Sequence, residues 1–155
     1  MRKDVTEDPQ AVADVLSRCE FVTLALVDEE GPYSVPVSCA FENGVLYFHS
    51  GRKGRKIAAL RRAMAEGTRV AFSAAVDLVL KTGDMACDYG YKFRGVLGSG
   101  HARLVEGAED KKAALNALMR KYGGRDTFPY DEKILGVTEV VAIDVDRVTA
   151  RIKLS

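Results

Sequence analysis

Apolar residues recur along the chain with the two spacings that distinguish helices from strands. Helical spacing predicts helices at residues 9–18 and 109–122, a helix that begins after Gly54, and a short helix at 131–135. Runs of apolar, β-branched and aromatic residues predict six strands, at residues 21–27, 33–41, 45–49, 69–80, 91–104 and 137–148. Helices and strands do not alternate regularly, which favours an antiparallel sheet over a doubly wound parallel one.

Turn and breaker residues shape this predicted sheet. Pro36 cannot donate to a strand ladder, so its strand lies at an edge, at a bulge or where the backbone faces another group. The Asn-Gly pair at 43–44 predicts a hairpin. Gly95, Gly98 and Gly100 interrupt one long strand, where glycines mark bulges, sharp curvature or close approach. Together these breaks predict a small, mainly β barrel with flanking helices.

Length and charge limit the classes of protein. A chain of 155 residues is long enough for one domain with a real core, which we place at residues 1–155. The net charge of +1 argues against a general nucleic-acid binder. No apolar run approaches the roughly 20 residues that span a bilayer, and the first ten residues lack the apolar core of a secretory signal. We therefore expect no membrane association.

The cysteines and histidines form no recognisable ligand cluster. Cys19, Cys39 and Cys87 are scattered and odd in number, which is typical of reduced, buried cysteines in a cytoplasmic protein. With only His49 and His101 available, no set of ligands has the spacing of a zinc site. We expect no bound metal and a cytoplasmic location.

Four cations crowd the start of the helix that follows Gly54, where the helix dipole is already positive; they are Arg52, Lys53, Arg55 and Lys56. We call these four residues the basic junction. They form either a solvated basic edge or a phosphate site, which would use the free helix amides and the dipole. Gly51 and Gly54 would let an anion approach the backbone. Because neither a GxxxxGK[ST] nor a GxGxxG motif is present, the phosphate site suits a mononucleotide.

Three segments carry a resemblance that covers nearly the whole chain: YSVPVSCAFENGVLYFHSGRKGRKI, ACDYGYKFRGVLGSGHA and KKAALNALMRKYGG. They resemble the FMN-binding split-barrel proteins of the pyridoxamine 5′-phosphate oxidase-like superfamily, and most closely its nitroimidazole-resistance-type branch. The resemblance implies an α+β, mainly β protein with a six-stranded antiparallel split β-barrel. It also implies a homodimer that holds one FMN in each of two clefts between the subunits, with residues 1–155 forming a single FMN-binding domain.

The same resemblance assigns site residues. The strand beside the isoalloxazine ring would contain Val35, Pro36, Val37 and Ser38. The turn that holds the phosphate and ribityl chain would contain His49, Ser50, Arg52, Lys53 and Lys56. Arg94 and Gly95 match a segment that meets the cofactor from a neighbouring strand or subunit. The oxidases have a serine where Gly51 stands here, so Ser50 would supply the hydroxyl instead.

Catalytic chemistry in such a protein belongs to the flavin. His49 is either a packing residue or a proton donor beside the flavin, and His101 has a weaker claim. Tyr89 and Tyr91 would line a substrate pocket, a dimer interface or the core, and Cys87 has no assigned chemistry.

The resemblance implies an FMN-dependent oxidoreductase. It would pass electrons from a reduced donor such as NAD(P)H to a small acceptor, either a nitro compound or a quinone. Oxidation of vitamin B6 is not expected, because the pyridoxal-specific C-terminal residues of the oxidases have no counterpart. The alternatives are a non-enzymatic flavin-binding module, its deazaflavin-binding variant, and a haem-binding split barrel with His49 or His101 as axial ligand. A nucleic-acid binder that uses the basic junction is the weakest alternative.

Overall fold

The structure is a computed structural model that describes residues 2–155. Its helices are α1 (Pro9–Arg18), α2 (Arg55–Glu66), α3 (Ala108–Tyr122) and α4 (Glu132–Val137). Its strands are β1 (Val5–Thr6), β2 (Val22–Asp28), β3 (Gly31–Val37), β4 (Ala40–Glu42), β5 (Val45–Ser50), β6 (Val70–Lys81), β7 (Gly90–Val105) and β8 (Glu139–Lys153). A short 3₁₀ turn, Ala86–Asp88, connects β6 to β7. No helix within this range is long and apolar enough to cross a membrane.

The strands form one antiparallel sheet in the order β3-β2-β6-β7-β8-β5-β4, with β1 paired to β8. The expectation of a mainly antiparallel sheet with flanking helices is confirmed, and the sheet is consistent with a split barrel. The expected number of six strands is wrong, because the sheet has eight. The predicted strand 33–41 is divided into β3 and β4, and the two-residue strand β1 was not predicted.

The division between β3 and β4 is caused by α3. The Cys39 amide donates a hydrogen bond to the Tyr122 hydroxyl oxygen at 3.1 Å, and the Cys39 carbonyl accepts one from Lys121 Nζ at 2.9 Å. The Tyr122 hydroxyl in turn donates to the Glu20 carbonyl. Because both backbone groups of Cys39 are used by side chains, this residue cannot continue the strand ladder.

Replacing Tyr122 with phenylalanine is expected to lower the free energy of unfolding by about 1–3 kcal/mol, since the Cys39 amide and the Glu20 carbonyl would both lose their partner. Urea denaturation monitored by circular dichroism measures this loss. Tyr89→Phe is the matched control, because the Tyr89 hydroxyl makes no hydrogen bond to residues 2–155. Equal stability of the two variants would show that the Tyr122 hydroxyl does not stabilise the link between β3 and β4.

Glycines allow β7 to curve, as the sequence predicts. A Cβ at Gly98 would lie 2.3 Å from the Phe72 ring, and one at Gly100 would lie 2.0 Å from the Asp144 carbonyl oxygen. The register with β8 shifts between Ser99 and Gly100, which marks a bulge. Strand β8 can therefore follow β7 over a long distance, and it extends to Lys153.

The sheet separates two apolar layers, and the alternation of side chains along β8 shows this directly. Val141 and Ile143 face the main core, which contains α1 and α2, whereas Val140 and Ala142 face α3. Helix α1 has the bounds that the sequence predicts, and its Val15 and Leu16 are fully buried. Helix α2 begins directly after β5, so the basic junction lies where β5 ends beside the first residue of β8.

Candidate functional site

The N-terminus of α2 is open. Its N-cap, Gly54, has φ 115° and offers no side chain to cap the helix, and the first bond of the helix runs from the Ala58 amide to the Gly54 carbonyl at 3.1 Å. The amides of residues 55–57 therefore have no partner within the helix. A Cβ placed at Gly51 or Gly54 would meet nothing within 4 Å. The backbone of these two glycines is therefore uncovered on the side where a side chain would stand.

One arginine of the basic junction is already neutralised. Arg55 binds Asp28 with two hydrogen bonds, of 2.7 and 3.0 Å, and its guanidinium carbon lies 4.4 Å from the centre of the Tyr33 ring. Glu30 Oε2 lies 3.5 Å from the same side chain. These contacts join the start of α2 to the β2–β3 turn, so Arg55 has a structural role.

The second arginine is also held by the protein itself. Arg52 donates a hydrogen bond to the Gly136 carbonyl of α4, and its Nε lies 3.6 Å from Glu139 Oε1. Arg61, nearly two turns along α2, reaches the other oxygen of Glu139 at 3.5 Å. Glu139 thus partly offsets the positive charge at this end of the helix.

The two lysines of the basic junction differ from its two arginines in their charged neighbours. Neither Lys53 nor Lys56 makes an ion pair with any residue in the range 2–155. Lys53 is exposed and Lys56 is half-buried. Two positive side chains therefore remain available beside the free amides of α2, which is the arrangement that recognises an anion.

The two residues at the end of β5 face opposite sides of the sheet. Ser50 is only 6% exposed and lies on the core side with Phe48, whereas His49 is exposed on the other side. Desolvation lowers the pKa of His49, and the positive charge of Lys56 lowers it further. His49 is therefore mainly neutral at pH 7.

Replacing Lys56 with alanine is expected to raise the pKa of His49, because the second of these two causes disappears while desolvation remains. The pKa of His49 is lower in the folded protein than in the unfolded chain, so the unfolded chain binds more protons below about pH 6.5. His49 therefore makes the folded protein less stable as the pH falls below that value. An NMR titration of the imidazole protons, assigned with His49→Gln, measures the pKa in both proteins. An unchanged midpoint would show that Lys56 does not act on His49.

The strand predicted to lie beside a flavin ring is an edge strand. Strand β3 pairs only with β2 among the described strands, so one side of its backbone is unpaired, as Pro36 predicts. Val35 and Val37 face the core, and Pro36 and Ser38 face outwards and are exposed. Any contact between a ligand and Val35 or Val37 would therefore use the backbone.

Arg94 and Gly95 lie near the opposite end of β8 from the basic junction. Ser50 pairs with Glu139 at one end of β8, and Arg94 pairs with Ile152 near the other end. At about 3.3 Å per residue, this separation is roughly 40 Å along the strand. Arg94 Nε lies 3.3 Å from Asp77 Oδ2.

Gly95 lines a groove of about 460 Å³ on the outside of the sheet, together with Phe21, Thr23, Ala75, Phe93, Leu97 and Thr149 among others. We call it the outer groove. Thr23, one of its residues, pairs with Pro36 of β3. Strand β3 therefore borders both regions, since Pro36 lies beside the outer groove and Tyr33, three residues earlier, contacts Arg55 of the basic junction.

The sequence profile described as pyridoxamine 5′-phosphate oxidase matches residues 8–152. The chain belongs to this family. The resemblance inferred from the sequence motifs is confirmed. No curated protein sequence matches the chain.

Solved structures agree with this family. A candidate 5-nitroimidazole antibiotic resistance protein from Bacteroides thetaiotaomicron is 29% identical, with a TM-score of 0.80 over 94% of this chain and 84% of that one. The flavocytochrome Anf3 from Azotobacter vinelandii is 17% identical, with a TM-score of 0.83 over 100% of this chain and 73% of that one. The FAD and haem binding protein from Mycobacterium smegmatis is 18% identical, with a TM-score of 0.83 and coverages of 99% and 75%. At these identities, the flavocytochrome and the FAD and haem binding protein show only that the fold is shared.

The sequence alone did not reveal the acidic residues that pair with the arginines at the candidate site. Asp28 binds Arg55, and Glu139 lies beside both Arg52 and Arg61. Asp28 occurs in an ordinary turn and Glu139 at the start of an ordinary strand, so neither has a local signal. An excess of cations at a helix start could have indicated that acidic partners exist, but not which residues they are.

Proposed function

We propose that this protein binds FMN and that the basic junction recognises its phosphate. The observation that carries this proposal is the open N-terminus of α2, with Lys53 and Lys56 beside it and without ion pairs to residues 2–155. A phosphate here would receive hydrogen bonds from free amides and from two ammonium groups. The paired residues Arg52 and Arg55 would hold the surrounding backbone in place.

The flavin ring would lie along the unpaired edge of β3. Its polar atoms need donors and acceptors, which the free backbone groups of residues 35–38 would supply. Pro36 has no amide hydrogen, so at this residue only the carbonyl can take part. Ser38 is exposed and could add its hydroxyl.

A homodimer would bring Arg94 and Gly95 of one subunit beside the basic junction of the other. Arg94 and Gly95 lie roughly 40 Å along β8 from the basic junction, so we assign their cofactor contacts to a second subunit. Exposed apolar residues that a partner would cover lie on the outer surface of β7 and just before β2, including Leu97 at 66% and Phe21 at 54% exposure. Tyr89 and Tyr91 are exposed too, which suits an interface or a substrate pocket better than the core.

The proposed activity is oxidoreduction of a small molecule. The flavin, when bound, supplies the transfer of electrons between a donor such as NAD(P)H and an acceptor such as a nitro compound or a quinone. The protein binds and orients the cofactor. His49 would exchange a proton at its imidazole; it is neutral at pH 7 until a bound anion raises its pKa. The 29% identity to the candidate nitroimidazole resistance protein supports the choice of a nitro acceptor.

The test is to titrate the purified protein with FMN, riboflavin, FAD and haem, following flavin fluorescence and absorbance. We expect FMN to bind at least about 100-fold more tightly than riboflavin, because riboflavin lacks the phosphate. FAD and haem are included because two structural relatives are a flavocytochrome and an FAD and haem binding protein. Equal affinity for FMN and riboflavin would overturn the phosphate assignment, and a Soret band with no flavin binding would favour the haem alternative.

Turnover is a separate question from binding. The FMN-loaded protein would be mixed with NADH or NADPH and either a nitroimidazole or a quinone, and oxidation of the donor followed by absorbance. We expect donor oxidation that depends on both FMN and acceptor. Tight FMN binding without turnover on any pair would favour a flavin-binding module that is not an enzyme.

A further inference from the structure

The sheet opens between β2 and β6. Strand β2 pairs with β3 as far as Asp28, but it pairs with β6 only over Thr23–Ala25. A cavity of about 630 Å³ lies where this pairing stops, and α2 forms its third wall. This volume is within the roughly 300–1,000 Å³ of small-molecule sites. We call it the sheet cavity; its lining is mainly apolar or small and includes Ala25, Leu26, Val27, Ala63, Val70 and Ala71.

Two arginines line the sheet cavity, and they differ in how far the protein uses their donors. Arg69 is held by Asp146 through two hydrogen bonds, of 2.6 and 2.7 Å. Arg62 donates only from Nε, to Glu66 Oε1 at 3.1 Å. Its Nη1 is covered by protein atoms and has no hydrogen-bond partner within residues 2–155, and its Nη2 has none there either. The Arg62 side chain is 39% exposed, so the guanidinium can still be reached.

The unused donors of Arg62 determine which ligand suits the sheet cavity. A guanidinium presents parallel N–H groups that match the two oxygens of a carboxylate. Glu66 offsets only part of the positive charge, because its side chain is 55% exposed and solvent screens it. A cation would be repelled by Arg62, and a molecule without an acceptor would leave these donors unpaired. The apolar walls favour a ligand whose remaining atoms are apolar.

We propose that the sheet cavity binds a small monocarboxylic acid with an apolar body, whose carboxylate accepts hydrogen bonds from the Arg62 guanidinium. The apolar body would lie between the strands, against Leu26, Val27 and Val70. Tyr33 also lines the cavity and contacts Arg55, so this site is a neighbour of the basic junction. The cavity includes none of the residues that we propose to bind FMN, and its ligand does not require a flavin.

The experiment titrates ¹⁵N-labelled full-length protein with phenylacetate, phenylacetamide and phenethylamine, which share an apolar body and differ in charge. Amide NMR shifts measure each affinity and locate each ligand. We expect phenylacetate to bind at least about tenfold more tightly than the other two and to shift the amides of Leu26, Val27, Ala63 and Val70. Equal affinities, no binding of phenylacetate, or shifts at Thr23 and Gly95 of the outer groove instead would overturn the proposal.

Variants test the role of the guanidinium. Arg62→Met keeps an unbranched stem but removes the donors, and we expect it to weaken phenylacetate binding at least about tenfold. Arg147→Met is the control, because it removes the same charge from an exposed arginine outside the cavity; its affinity should be unchanged. An equal loss in both variants would mean general electrostatics and would contradict the proposal. If Arg62→Met does not fold, Ala25→Leu fills the cavity from an exposed position, and retained phenylacetate binding there would likewise contradict it.

A repeat of the titration with FMN present separates this site from the proposed flavin site. We expect phenylacetate to bind with the same affinity with and without FMN. Competition between the two ligands would place the sheet cavity within the flavin site and overturn its assignment as a separate site. If FMN does not bind while phenylacetate does, the proposed function fails and the carboxylate site stands.

Discussion

Lys53→Ala combined with Lys56→Ala is expected to weaken FMN binding by at least about 100-fold and to leave the fold intact. Each hydrogen bond to a charged group contributes about 1.5–3 kcal/mol, and a loss of 1.4 kcal/mol is tenfold in affinity. The two lysines make no ion pair with residues 2–155, so their removal breaks no internal contact of that kind. Their removal also relieves the repulsion between the lysine ammonium groups and the positive end of the α2 dipole. A fluorescence titration with FMN measures the affinity.

The control for this variant removes two positive charges elsewhere. Lys3→Ala with Arg147→Ala changes the net charge equally, and both residues are exposed. Lys3 precedes β1, which pairs with the C-terminal half of β8, and Arg147 lies within that half. Its affinity for FMN should match that of the unmodified protein. Riboflavin should bind equally weakly to all three proteins. If both double variants lose FMN affinity to the same extent, the effect is general electrostatics and the basic junction is a solvated edge.

Gly100→Ala is expected to lower the free energy of unfolding by about 3 kcal/mol or more, or to prevent folding. The added Cβ would lie 2.0 Å from the Asp144 carbonyl oxygen and 2.8 Å from the carbonyl carbon. Both are backbone atoms of β8 at the bulge, so neither can rotate away as a side chain would. Chemical denaturation followed by circular dichroism measures the change, and the amount of protein recovered in the soluble fraction reports failure to fold.

Gly90→Ala is the matched control, because it makes the same substitution in the same strand. Its Cβ would meet only Lys153 Nζ, at 3.9 Å. We expect its stability to stay within about 0.5 kcal/mol of the unmodified protein. A Gly100→Ala protein as stable as Gly90→Ala would mean that β8 can shift away from β7 at the bulge, and that the bulge does not depend on glycine.

The helices show how far local signals reach. Asp8 and Pro9 mark the start of α1, and the helix begins there with the Asp8 carboxylate accepting a hydrogen bond from the Gln10 amide. The apolar spacing of residues 109–122 likewise predicts α3 to within one residue. Capping and helical periodicity act over a few residues, so they are visible in the sequence.

The boundaries and pairing of some strands could not be predicted from local sequence signals. Residues 33–41 have the composition of one strand, yet the chain leaves the ladder at Cys39 because Lys121 and Tyr122 bind its backbone. The pairing of β1 with β8 is equally invisible, since two residues carry no period. Both features depend on residues more than 80 positions away, and no pattern within one segment can indicate them.

Part of the candidate site could likewise be predicted from the sequence, and part of it could not. The basic junction could be predicted because its charges conflict with the helix dipole over five consecutive residues. Which of its charges stay available could not, because Asp28 and Glu139 come from other elements. The cysteines were predicted to be buried, and Cys19 and Cys39 are buried, but the prediction is wrong for Cys87, which is exposed.

The sequence by itself determined the helices, most strands, the mainly antiparallel architecture, the family and the basic junction, at which we propose that a phosphate binds. Each of these depends on residues that are neighbours along the chain or on motifs that remain contiguous. The tertiary structure alone decided the number of strands, the neutralisation of Arg52 and Arg55, and the position of Arg94 near the opposite end of β8 from the basic junction. These depend on contacts between distant segments, which form only when burial of the core brings those segments together.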